Sequence, residues 1–152
     1  MAQPWHLLDT NILLRLSIPT HVESPSVSAA VEQLQLRQTP LAFTFQNITE
    51  FWNVATRPAE RNGFGYTVQQ VEFMVREIET MFNFLPDTEA VYREWRNIVA
   101  AEEVKGVQVH DARLVAAMRV YGIHYLVTLN ENDFKRYFGI VIVRPEKETL
   151  QP

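Results

Sequence analysis

Cysteine is absent from this chain of 152 residues. Its absence excludes disulfide bonds, thiolate metal sites and cysteine nucleophiles, and it makes the cytoplasm the simpler expectation for location. Long hydrophobic runs are missing as well, since no stretch is long enough to cross a bilayer. The first residues include no basic leader ahead of a long apolar stretch, so neither a membrane span nor a secretory signal is expected.

Basic residues are in the minority, with 14 Lys and Arg against 18 Asp and Glu and a formal net charge of −4 at pH 7. Binding of nucleic acid through a broad cationic surface depends on Lys and Arg that neutralise phosphates, so this mode of binding is disfavoured. A polyanionic substrate would need local help from a bound divalent metal and a few arginines, because a metal ion is often the largest charge in its neighbourhood.

Several enzyme motifs are also missing. The sequence contains no G-x-S-x-G elbow, P-loop, G-x-G-x-x-G or H-E-x-x-H motif. Serine hydrolase, nucleotide-cradle and zinc-protease chemistries therefore lack their required parts. The histidines are scattered along the chain and suggest no shared site.

The hydrophobic content of 47% is enough to form one core. Short apolar runs such as 41–44 and 125–128 predict buried strands, and amphipathic stretches such as 67–82 and 87–99 predict helices between them. This alternation predicts an α/β fold, a three-layer α/β/α sandwich with a parallel central sheet. We expect a single domain over residues 1–145, followed by a C-terminal tail over 146–152.

Local signals predict several helix boundaries. Ser24 is predicted to cap one helix, Val68 to open the inward stripe of another, and Asp87 to begin a third. Asp111 is predicted to open a further helix, and Gly122 to occupy the left-handed position just beyond its end.

Four short acidic motifs are the most informative feature of the chain: Asp9 in LLDTN, Glu50 in ITEFWN, Asp111 in HDARL and Asp133 in NENDF. Sites in parallel sheets form beyond the carboxyl ends of the strands. Asp9 follows one predicted strand, and Asp133 comes shortly after another that ends at Thr128. Clustered carboxylates bind a hard cation through oxygen, so the motifs predict a metal-dependent phosphodiesterase site.

Each acid also has an ordinary structural interpretation. Asp9 and Asp111 could cap helices, Glu50 could be a solvated residue opposite an apolar stripe, and Asp133 could lie on a surface turn. Arg57 shares a helix face with Glu50 and is a candidate phosphate ligand, although a solvated side chain is the commoner role for such an arginine.

Taken in order, the segments LLDTNILL, TEFWNVATRP, HDARLVAAMRVYGIHYLVT and TLNENDF resemble PIN-domain proteins, and among them the VapC-type ribonuclease toxins of prokaryotic toxin–antitoxin pairs. The resemblance covers nearly the whole chain. It implies a PIN-like fold and an endoribonuclease that hydrolyses RNA phosphodiester bonds with Mg²⁺ or Mn²⁺. It further implies a homodimer and a cognate antitoxin that lies across the active-site groove.

The resemblance also implies roles for individual residues. Asp9, Glu50 and Asp111 would be catalytic and metal-binding acids, and Thr10, Asn11 and Thr128 would orient them. For the fourth acid, the family often uses the position that Asn130 occupies here, whereas Asp133 occupies the other common position. Both residues therefore stay candidates, Asp133 as a metal ligand and Asn130 as a supporting residue, and Arg57 and Arg113 are candidates for RNA contact.

Two other functions stay open on the sequence. A catalytically weak PIN domain that acts as an RNA-binding or regulatory partner is one, because Asn130 cannot carry negative charge. A deoxyribonuclease or a phosphohydrolase of small substrates is the other, and the acidic net charge slightly favours a small substrate.

Overall fold

A computed structural model describes residues 2–148 of the protein. Within this range, five strands alternate with seven α-helices and two short 3-10 turns. The strands are β1 His6–Leu8, β2 Leu41–Thr44, β3 Asn83–Leu85, β4 Tyr125–Val127 and β5 Val141–Val143. The helices are α1 Thr10–Ser17, α2 Ser24–Leu36, α3 Phe45–Thr56, α4 Val68–Met81, α5 Glu89–Ala101, α6 Gln108–Tyr121 and α7 Pro145–Glu148. The 3-10 turns are Ala59–Arg61 and Glu131–Asp133.

The five strands form one sheet in the order β3-β2-β1-β4-β5, and every pair is parallel. His6 is in register with Leu41 on one side and with Tyr125 on the other, which places β1 at the centre. The predicted α/β/α sandwich with a parallel sheet is confirmed. Among residues 2–148, no helix qualifies as a membrane span.

Two apolar cores cover the two faces of the sheet, because successive side chains of a strand point to opposite faces. Leu8 joins the core that includes α1, α2, α3 and α4. Its neighbour Leu7 joins the core that includes α5 and α6. The central strands are buried on both faces, which explains why they are continuous apolar runs in the sequence.

Helix caps position the elements that carry the acids. Asp9 caps α1 and follows β1 directly. Thr44, the last residue of β2, caps α3 in a reciprocal capping box with Asn47, so the strand passes into the helix without a loop. At the end of α6, Gly122 has a φ of 69°, as predicted for a left-handed C-terminal position.

Three boundary predictions and one prediction of the core were wrong. Glu23, not Ser24, precedes α2 at the cap position, and Thr88 rather than Asp87 caps α5. Helix α6 begins at Gln108, so Asp111 lies within its first turn and does not cap it. Val68, the first residue of α4, is 63% exposed and is not part of the core stripe of this helix, whose buried residues are Val71, Val75 and Ile78.

The end of the chain packs back onto the domain. Helix α7 contacts α2, and Pro145 is buried. The predicted tail over 146–152 thus includes part of this helix, and its residues 149–152 lie outside the described residues.

Candidate active site

Three parallel strands bring the candidate residues to one edge of the sheet. Asp9 follows the carboxyl end of β1, α3 begins directly after β2 and carries Glu50 in its second turn, and Thr128 follows β4. Because β2, β1 and β4 are adjacent, these ends are neighbours in space. Ligand sites in open parallel sheets form at this edge.

Asp9 is nearly buried, with 7% of its surface exposed, and both of its carboxylate oxygens accept hydrogen bonds. The Thr10 amide donates to Oδ1 at 2.8 Å, and the Thr128 hydroxyl donates to Oδ2 at 2.7 Å. A longer contact of 3.4 Å joins Asn11 Nδ2 to the same Oδ2. These bonds fix the rotamer of the carboxylate. Asp9 therefore caps α1 and is part of the site at the same time.

Glu50 is also held at both oxygens. The Thr10 hydroxyl donates to Oε2 at 2.8 Å, and Gln46 Nε2 donates to Oε1 at 2.9 Å. The same Thr10 hydroxyl accepts from Asn47 Nδ2 at 3.1 Å, which orients its proton towards Glu50. Glu50 is therefore only partly exposed and is not a freely solvated side chain.

Asp111 points into the same region from the first turn of α6, and its carboxyl accepts no hydrogen bond from any residue in the range 2–148. Its pKa is raised to about 7, mainly by burial and then by the negative charges of Asp133, Asp9 and Glu50, in that order. A carboxyl with this pKa is about half protonated at neutral pH.

Burial is also the main cause that raises the pKa of Asp9 to about 6. The hydrogen bonds from Thr128 and Thr10 lower this pKa, and the charges of Glu50 and Asp133 raise it, so the hydrogen bonds only partly offset burial. The four acids therefore act on one another, although they come from four separate segments of the chain.

Asp133 and Asn130 flank the site differently. Asp133 ends the exposed 3-10 turn after β4, and its charge raises the pKa of both Asp9 and Asp111. The backbone N–H of Asn130 donates to the Thr128 hydroxyl at 3.0 Å, whereas the Asn130 residue is itself exposed. Asn130 thus supports Thr128 through its backbone.

The two candidate arginines bind elsewhere in this structure. Arg57 donates through Nη2 to the carbonyl of Asn62 at 3.1 Å, in the turn after α3. Arg113 pairs with Asp87 at a cavity of about 310 Å³ whose lining includes His110 but none of the four acids. Their role as RNA contacts stays a prediction.

Gln46 is a further polar residue of the site, and none of the sequence motifs indicates it. It lies one turn before Glu50 on α3 and is 5% exposed, and its Nε2 also donates to the carbonyl of His110 at 2.7 Å. The only sequence signal is the spacing of four residues from Glu50, which places both side chains on one helix face.

The donor set fits a hard divalent cation. It consists of carboxylate oxygens, which Mg²⁺ and Mn²⁺ prefer, and a cation would offset the burial and the neighbouring negative charges that raise the pKa values of Asp9 and Asp111. In residues 2–148, no three His, Asp or Glu side chains already stand close enough to form a finished metal-binding group. Mutual repulsion and the hydrogen bonds that hold Asp9 and Glu50 are consistent with this spacing.

Comparisons with known proteins agree with this arrangement. The structure of VapBC2 from Rickettsia felis bound to a DNA fragment from its promoter shares the fold, with 14% sequence identity, coverage of 91% of this chain and 97% of that chain, and a TM-score of 0.68. VapC20 from Mycobacterium tuberculosis, a sarcin–ricin loop cleaving toxin, has 18% identity, coverage of 92% of this chain and 99% of that chain, and a TM-score of 0.65. A toxin–antitoxin complex from Klebsiella pneumoniae has 20% identity, coverage of 92% of this chain and 97% of that chain, and a TM-score of 0.60. At these identities the likeness concerns the fold alone. No curated protein matches the sequence. The PIN domain profile matches residues 6–139, and the chain therefore belongs to the PIN-domain family.

Proposed function

We propose that this protein is a metal-dependent endoribonuclease and the toxin component of a type II toxin–antitoxin pair. The observation that carries the proposal is the mutual electrostatic influence of Asp9, Glu50, Asp111 and Asp133 at one sheet edge. Groups with strongly raised pKa values cluster at functional sites, because a stable fold gains nothing from burying carboxylates beside one another.

The chain's own residues would organise the site before any substrate binds. Thr128 and the Thr10 amide hold the Asp9 carboxylate, and the Thr10 hydroxyl and Gln46 hold Glu50. Asp111 has no such restraint, so it can turn towards an ion and lose its proton when the ion binds. A divalent ion held by these acids would neutralise the scissile phosphate and lower the pKa of an attacking water molecule.

Asp133 is our candidate for the fourth acid. Its charge acts on both Asp9 and Asp111, which an oxygen far from the site would not do. Among the described residues, Asn130 contributes only backbone groups to the hydrogen-bond network: its N–H donates to Thr128, and its carbonyl accepts from the N–H of Asp133 at 3.2 Å.

The structural relatives support the biological part of the proposal. VapC20 from Mycobacterium tuberculosis is a toxin that cleaves the sarcin–ricin loop, and the Klebsiella pneumoniae structure is a toxin–antitoxin complex. We infer that this chain likewise cleaves RNA, pairs with a cognate antitoxin that covers the acidic groove, and forms a homodimer. The negative charge of the acids would attract a basic side chain of such an antitoxin.

The test is cleavage of a panel of structured RNAs by metal-free protein, with and without added Mg²⁺ or Mn²⁺. Asp9→Asn, Glu50→Gln and Asp111→Asn should each lose at least about 100-fold in rate, because a missing ligand removes charge stabilisation in the transition state. Glu77→Gln, an exposed acid of α4, is the matched control and should retain full activity. Cleavage that persists in EDTA, or in the Asp111 variant, would contradict the proposal.

A catalytically weak PIN domain is the second candidate, and the neutral Asn130 together with the exposed position of Asp133 favours it. The same assay separates the two candidates. Binding of RNA without cleavage at any metal concentration would support the second, and cleavage of DNA or of a small phosphodiester in preference to RNA would oppose both.

A further inference from the structure

The side-chain amide of Gln46 connects two of the acid-bearing elements, and its orientation is fixed by its partners. Nε2 lies 2.9 Å from Glu50 Oε1 and 2.7 Å from the carbonyl oxygen of His110. A carbonyl oxygen can only accept a hydrogen bond, and so can an ionised carboxylate. The nitrogen must therefore face both groups, and the amide oxygen Oε1 must point elsewhere.

That amide oxygen is buried and lacks a hydrogen-bond donor among residues 2–148. Gln46 as a whole is only 5% exposed, so bulk solvent does not readily satisfy it. A buried acceptor without a donor is rare in folded proteins and calls for a specific explanation. A donor from outside residues 2–148, such as a water molecule, would satisfy this oxygen.

We propose that Gln46 is a positioning residue of the metal site, whose Oε1 accepts a hydrogen bond from a water molecule bound to the divalent ion. This inference rests on the proposed metal site but not on RNA being the substrate. A water molecule on a divalent cation is a strong donor and stands next to the carboxylates that hold the ion.

The Gln46 amide also connects the two helices that carry Glu50 and Asp111. Nε2 fixes Glu50 on α3 and the carbonyl of His110 on α6, and His110 precedes Asp111 directly. Gln46 thus sets the separation of two proposed ligands that are far apart in sequence. Residues that orient metal ligands in this way typically change metal affinity by 10–100-fold when they are replaced.

The experiment measures binding of Mn²⁺ alone to the metal-free protein by isothermal titration, without RNA. Gln46→Met keeps the length of the side chain but removes both polar atoms, and it should weaken Mn²⁺ binding about 10–100-fold. Gln46→Asn keeps the amide but is one methylene too short to reach both partners, and it should also weaken binding. Gln69→Met, the same change at an exposed glutamine of α4, should stay within about twofold of the wild type.

A positioning role predicts a second result. At saturating Mn²⁺ the cleavage rate of Gln46→Met should recover most of its loss, whereas a residue needed only for the fold would show no such dependence. Circular dichroism of each variant checks that it is folded.

Mn²⁺ affinity within about twofold of the wild type in folded Gln46→Met would overturn the inference, and so would a wild-type protein that binds no Mn²⁺. Loss of folding in both variants would overturn it as well, because Gln46 would then serve the fold rather than the ion. Mn²⁺ binding that depends on Gln46 in a protein that cleaves no RNA would leave this inference standing and contradict the proposed function. RNA cleavage by a protein whose Mn²⁺ binding does not depend on Gln46 would support the proposed function and contradict this inference.

Discussion

The hydroxyl of Thr128 donates a hydrogen bond of 2.7 Å to Asp9 Oδ2, which joins the carboxyl ends of the adjacent strands β4 and β1. Thr128 is fully buried, and its oxygen also accepts from the backbone N–H of Asn130. One hydroxyl therefore orients a proposed metal ligand and anchors the segment that leads to Asp133.

Replacing Thr128 by Val removes this hydroxyl while it keeps the shape of the side chain. The change leaves Asp9 Oδ2 with only the longer contact from Asn11 and leaves the Asn130 N–H without a partner, so we expect a loss of about 1–3 kcal/mol in the free energy of unfolding. We also expect RNA cleavage to fall about 10-fold or more, because Asp9 loses its orientation. Thr128→Ser keeps the hydroxyl and should retain most of the activity. Denaturant unfolding and single-turnover cleavage measure the two effects, and equal activity of the Val and Ser variants would contradict this role.

The raised pKa of Asp111 predicts a specific dependence of stability on pH. Its pKa is about 7 in the folded protein against a reference of 3.8, so folding disfavours the ionised form. The wild type without metal should therefore lose stability as the pH rises from about 4 to 7. A position in the first turn of a helix favours an acid by about 0.3–1 kcal/mol, but burial and three neighbouring acids outweigh this.

Asp111→Asn removes the ionisable group. At pH 8 without metal, we expect this variant to be more stable than the wild type by about 1–3 kcal/mol, and the difference should vanish near pH 4. Thermal unfolding at both pH values is the measurement, with Glu77→Gln as the control for an exposed acid. A variant less stable than the wild type at pH 8 would show that Asp111 is not strained by its surroundings.

Divalent ions should reverse this effect. An ion that binds only the folded state stabilises it by about 2.7 kcal/mol at a hundredfold excess over its Kd. Mn²⁺ should therefore raise the melting temperature of the wild type by several degrees and that of Asp111→Asn by much less. An equal shift in both proteins would place the ion at another site.

The fourth acid can be identified by two substitutions. Asp133→Asn should weaken Mn²⁺ binding about 10-fold, because it removes a charge that acts on both Asp9 and Asp111. Asn130→Ala should have little effect, since the backbone N–H that supports Thr128 is retained. Titration with Mn²⁺ distinguishes the two residues, and a larger effect at Asn130 would reverse the assignment.

The sequence was sufficient to predict the parallel α/β fold, because buried strands and amphipathic helices have distinct periods. The predicted strand 41–44 coincides with β2, and α3 begins directly after it because Thr44 and Asn47 form a capping box. The start of α6 was missed because no side chain caps it. Without a capping signal, Asp111 was the first residue that resembled a helix start.

Gln46 was missed for a different reason. Its role depends on the carbonyl of His110, which is 64 residues away in the sequence. Every residue has a backbone carbonyl, so residue types do not indicate which one a side chain will contact. The interpretation of Glu50 as a solvated residue was wrong for the same reason. The periodicity of α3 indicates which residues contact the core, but it does not indicate the hydrogen bond from Thr10.

The most direct measurement is anomalous diffraction from crystals of the protein soaked in Mn²⁺. We expect one strong peak between the carboxylates of Asp9, Glu50 and Asp111, with oxygens at about 2.0–2.3 Å, as oxygen ligands of such cations require. Asp111 should have moved towards the peak relative to the metal-free protein. Crystals saturated with Mn²⁺ that show no peak there, or a peak that only one of the three acids contacts, would contradict a shared metal site and the nuclease that depends on it.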